Sequence, residues 1–70
     1  MNIIGRQGEY RYLVQTGEKA GFVADLGLGI RFPETDLDSI LSRGYWEPYT
    51  GEDQEQILVQ IGELAPARNP

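Results

Sequence analysis

The chain contains no cysteine and no histidine. Those absences exclude disulfide cross-links, thiolate nucleophiles, imidazole acid–base chemistry and the usual zinc ligands. The acid–base groups that remain are carboxylates, tyrosines and a single lysine, Lys19. A Ser–Lys pair is formally available, with Ser39 or Ser42 as nucleophile. Both serines fall in a predicted helix with no glycine-rich elbow beside them, so no catalytic residue is assigned and enzymatic activity is not expected.

Long apolar runs are also missing, the longest aliphatic stretch being Ile57-Leu58-Val59. Residues 1–6 carry no basic segment leading into an apolar run, so neither a secretion signal nor a membrane span is expected, and the default location is cytoplasmic. A chain of 70 residues is read as a single domain over residues 1–65 with a tail at 66–70. A domain of that size buries only about 60% of the surface its unfolded chain exposes. With no disulfide or zinc available, self-association remains a route to stability, and a homo-oligomer is one expectation.

Charge is unevenly placed. Residues 1–33 hold four basic and three acidic side chains, a net of +1, whereas residues 34–70 hold two basic and eight acidic ones, a net of −6. A one-sided negative field repels nucleic acid and speeds encounter with a basic protein surface. It is also what keeps an ordinary small domain soluble.

Periodicity outlines the elements. From Glu9 to Gln15 the chain alternates, with Tyr10, Tyr12 and Val14 on one parity and Leu13 as the single exception, which predicts a half-buried strand. Residues 16–21 read as a hairpin loop. From Phe22 to Phe32 every even position is apolar, while Gly27 and Gly29 lie on the other parity. That combination predicts one coiled strand or two strands joined at Gly27. Gly27 and Gly29 form a G-x-G, but no third glycine or helix follows at the dinucleotide-binding spacing, so the glycines are read as a bend. Pro33 ends the strand. A helix over residues 36–43 is expected next, capped by Thr35 and burying Leu37, Ile40 and Leu41, with Arg43 in its last turn and Gly44 as its stop. Residues 45–51 are too rich in proline and glycine for a regular element. The segment 55–64 is read as a helix with Thr50 as a possible cap, although Ile57, Val59 and Ile61 also alternate as a strand would.

These elements make an α+β fold, a small bent antiparallel sheet with one or two short helices. If residues 55–64 were a strand, the alternative would be an SH3-like small β-barrel with one short helix.

Three other constellations have local explanations. Asp36 and Asp38 sit about 200° apart on a helix and cannot easily share a metal ion, so they are read as caps and partners of the helix dipole. The carboxylates Glu47, Glu52, Asp53 and Glu55 resemble glycosidase acid–base pairs only in number, since a domain this small has little volume for a sugar cleft. Tyr10 and Tyr12 on one strand face would make a stacking platform for single-stranded nucleic acid, but Arg6, Arg11, Lys19 and Arg31 are dispersed rather than lining a phosphate groove. Neither a metal nor a cofactor is implied.

What remains is the aromatic stretch 45–49 beside the acidic run. Tyr45, Trp46 and Tyr49 offer large contact area at low entropic cost. With Glu47, Glu52, Asp53 and Glu55 they form the candidate partner-binding site. The function expected is a non-enzymatic protein-interaction module, an inhibitor, accessory subunit or nucleic-acid mimic, that binds a basic partner. The alternative is a structural, homo-oligomeric assembly subunit.

Overall fold

A computed structural model describes residues 1–66. Three strands carry the fold: β1 (Asn2–Gln7), β2 (Arg11–Gln15) and β3 (Ala20–Asp25) form an antiparallel meander. Gly8, with φ at +63°, supplies the left-handed residue of the first turn, a conformation that costs glycine little. Short strands extend the sheet. They are β4 (Ile30–Arg31), β5 (Thr35–Asp36), β6 (Glu47–Pro48) and β7 (Ala65–Pro66), and the strand order is β6-β1-β2-β3-β4-β7 with β5 also on β3. Every pairing is antiparallel except β4 with β7. The helices are α1 (Leu37–Leu41) and α2 (Gln54–Gly62).

The sheet is buried on both faces. Against one lie Ile57 and Ile61 of α2, packed with Ile3, Tyr12, Val14, Phe22 and Ala24. Against the other lie Leu37 and Ile40 of α1, packed with Leu13, Ile4, Val23 and Trp46. Leu13, the residue that breaks the alternation of β2, is thus the centre of a second core. The small α+β fold expected from the sequence is the one observed, with a mixed sheet that is open, not closed. The SH3-like barrel is set aside because residues 54–62 are helical: Ile57 and Ile61, one helical turn apart, face the sheet while Val59 stays 66% exposed.

Several local expectations are corrected. Tyr10 lies in the turn before β2 and is exposed, while Tyr12 is buried, so the two rings share no stacking face. For the 22–32 segment the two-strand reading is the one observed. Asp25 organises the turn between the strands by accepting from the Leu28 amide (2.9 Å), and Gly29, φ +72°, closes it. Helix α1 is shorter than 36–43 because the backbones of Thr35 and Asp36 pair with Gly21 and Ala20. The cap is therefore Asp36, whose carboxylate accepts from Ser39 N (3.2 Å), rather than Thr35. Arg43 falls beyond the helix, and Leu41 is 47% exposed. In the 45–51 stretch, Glu47 and Pro48 pair with Arg6 and Gly5. The N-cap of α2 is Asp53, not Thr50. Of the expected tail, Pro66 belongs to β7, and residues 67–70 lie outside the described residues.

Helix α1 docks tightly because Gly21 has no side chain. A Cβ there would stand 2.6 Å from Leu37 Cδ2 and collide with the Val14 carbonyl oxygen. Overpacking of this kind costs about 1–3 kcal/mol. We expect Gly21→Ala to lower the urea midpoint by a corresponding amount with an unchanged m-value, measured by circular dichroism.

Candidate functional site

Strand β6 and the turn into α2 carry most of the residues singled out from the sequence. Tyr45 is 78% exposed, and its carbonyl accepts from Gln7 Nε2 (2.8 Å). Glu47 lies in β6, and Glu52, Asp53 and Glu55 follow between β6 and the first turn of α2, all of them exposed. Among the described residues the one ion pair joins Arg11 to Asp25, so none of these four carboxylates is in an ion pair, although Arg6 stands opposite Glu47 across β1 and β6.

The aromatics part company at the edge of the sheet. Trp46 packs on the α1 face, and its Cβ would be 3.0 Å from a Cβ built on Gly5. Tyr49 packs on the α2 face, edge-on to Tyr12 with ring centroids 5.9 Å apart. Its hydroxyl donates to the Asp53 carboxylate, and Asp53 makes no side-chain cap to α2. The two rings therefore do not form one patch: Tyr45 and the carboxylates are at the surface, Trp46 and Tyr49 are half-buried on opposite faces. Desolvation, reinforced by the Asp53 carboxylate, pushes the Tyr49 phenol from 10.0 up to about 12.

A second feature was not anticipated. On the α1 face the structure holds a groove of about 480 Å³. Gln7, Arg11 and Val23 are on its sheet side, and Phe32, Arg43 and Trp46 are among the residues that line the rest. Arg11 donates through Nε to Asp25 Oδ2 (3.2 Å), with its guanidinium 5.7 Å from the Phe32 ring centroid. The Leu28 amide and the Arg11 guanidinium together hold the Asp25 carboxyl below its ordinary value, outweighing its partial desolvation. The sequence did carry a signal for this groove. Arg11 has the parity of Leu13, so once Leu13 is seen to be core, a cation must border that core.

Among the described residues no cluster of three or more acidic side chains is placed to hold a metal ion, and no helix is long and apolar enough to cross a membrane.

Both titrating groups predict pH effects. The depressed Asp25 contributes stability above the unfolded value of 3.8, lost as pH falls through the lower folded value. The gap in melting temperature between wild type and Asp25→Asn should therefore be widest near neutrality and close in acid. The raised Tyr49 contributes stability that is complete below the unfolded 10.0 and lost as pH rises through about 12. A phenolate absorbance titration should show a late step near 12 that Tyr49→Phe abolishes.

Comparison of the chain with protein-family models, curated proteins and solved structures finds no match.

Proposed function

We propose that the protein is a non-catalytic interaction module whose acidic edge, Glu47, Glu52, Asp53 and Glu55 with Tyr45 beside them, engages a basic protein surface. The observation that carries this reading is that all four carboxylates are exposed and none forms an ion pair among the described residues. Exposed charge steers encounter with an oppositely charged partner and sets specificity more than raw affinity. Tyr45 adds an aromatic contact next to that charge, and large aromatic side chains recur at the energetic centres of interfaces. Trp46, seated on the α1 face, is not part of this surface.

The competing reading, an assembly subunit pairing through a strand edge, has less support. Both outermost strands of the sheet, β6 and β7, are two residues long and contain a proline. Short edges with proline are how sheets resist edge-to-edge pairing.

The test uses Glu47→Lys, Glu52→Lys and Glu55→Lys together, sparing Asp53 because it accepts from Tyr49. A partner captured by the wild type from native lysate at low salt, then purified and titrated, should bind the triple variant at least about tenfold more weakly. Its affinity for the wild type should fall as salt rises. Equal affinity for both proteins across the salt series would remove the acidic edge from the interaction.

A further inference from the structure

The groove on the α1 face is an exception to the charge of the molecule. The chain has 11 acidic side chains, yet none lines the groove, while two of its six basic ones do. Its volume of about 480 Å³ falls in the range of small-molecule sites, roughly 300–1,000 Å³.

The chemistry of the lining is specific. Arg11 is held in place by Asp25 through Nε alone, and both Nη groups make no hydrogen bond to the described residues. A guanidinium anchored by one nitrogen presents a planar fork of N–H donors, the geometry that takes a carboxylate bidentately. Arg43, just past α1, is exposed and pairs with no described carboxylate. Phe32 already has the Arg11 guanidinium over its ring. Trp46, half-buried against Leu13, Leu37 and Ile40, is therefore the wall to which a flat ring can pack. Gln7 donates its amide to the Tyr45 carbonyl, and its Oε1 accepts from none of the described residues.

Charge then selects among anions. Arg11 and Arg43 with Asp25 sum to +1, which complements a monoanion and leaves a phosphate dianion uncompensated. We propose that this groove binds a small aromatic monocarboxylic acid, its carboxylate on the Nη fork of Arg11 with Arg43 supplying a second positive charge, and its ring against Trp46. The site is separate from the acidic edge and does not rest on it.

Trp46 is the only tryptophan, so its indole N–H gives a single resonance that reports on the groove. The protein is titrated with 3-phenylpropionate, with 3-phenylpropanamide and with inorganic phosphate, followed by that resonance and by calorimetry. For a ligand of this size the acid should saturate with a dissociation constant on the order of a millimolar. The amide should bind about tenfold more weakly, because it cannot make the charged hydrogen bonds. Arg43→Gln, an exposed position, should weaken the acid several-fold while leaving the melting temperature unchanged. The Glu47/Glu52/Glu55 charge-reversed variant should bind the acid at least as well as wild type, which separates the two surfaces. The proposal is overturned if the acid shows no saturable shift, if acid and amide bind equally, or if phosphate binds as tightly as the acid. An acidic hexapeptide binding a hundredfold more tightly than the acid would also overturn it, making the groove a peptide site.

Discussion

The structure turns on the burial of adjacent residues on opposite faces of one strand. Leu13 and Val14 of β2 are both completely shielded from solvent, and neighbouring strand residues point to opposite sides. Both sides of the sheet must therefore be covered. A three-stranded meander in a chain of this length would ordinarily bury one face and leave the other to water. Here α2 covers the face of Val14 and α1 that of Leu13, so a small domain obtains two cores from one sheet. Each fully buried aliphatic side chain contributes about 1.5–3 kcal/mol, so the second core offsets much of the disadvantage of small size. Its condition is close approach, and Gly21 and Gly5 are where α1 and Trp46 come down onto the strands.

Because the central strands are committed to packing, the edges are finished by fragments. The open side of β1 is covered by several groups in turn. Glu47 and Pro48 pair with Arg6 and Gly5, Tyr49 N donates to the Ile4 carbonyl (3.4 Å), and Gln54 Oε1 accepts from Ile3 N (3.1 Å). An amide side chain from the first turn of α2 thus satisfies a backbone donor that a neighbouring strand would otherwise engage. That contact ties the second helix to the sheet edge and fixes where the acidic turn emerges. Glu52 and Glu55 flank Gln54 in sequence and lie at the surface.

Much of this architecture was legible. The alternation around Tyr12 and Val14, the paired glycines at the bend, and the Leu37/Ile40 stripe each led to the right kind of element, because each is a local consequence of burying one face. What was not legible depended on partners distant in sequence. Thr35 would cap α1 in isolation, but pairing with Gly21 moves the cap to Asp36. Leu13 looked like an irregularity because nothing local says that a strand has a core behind it as well as in front. The same omission hid the groove, since Arg11 reads as an outward-facing charge until Leu13 is recognised as buried. Within the aromatic stretch, composition marked Trp46 and Tyr49 as important, yet the crossing of the sheet edge between them, which sends them to opposite faces, follows only from the pairing of β6 with β1.

The two surfaces carry opposite charge in one small molecule, and range decides whether that is consistent. The domain measures 33 × 23 × 22 Å. At physiological ionic strength, fields between exposed charges decay over about 8 Å, a distance short against any of those dimensions. The immediate lining, more than the net charge of −5, therefore governs what each surface retains. Arg11 in particular is partly sheltered, and beside low-dielectric walls its donors act more strongly than they would in open water. A chain that is acidic as a whole can thus hold an anion locally, provided its carboxylates are kept off the lining, and the burial of Leu13 under α1 is what sets that lining apart from the acidic edge.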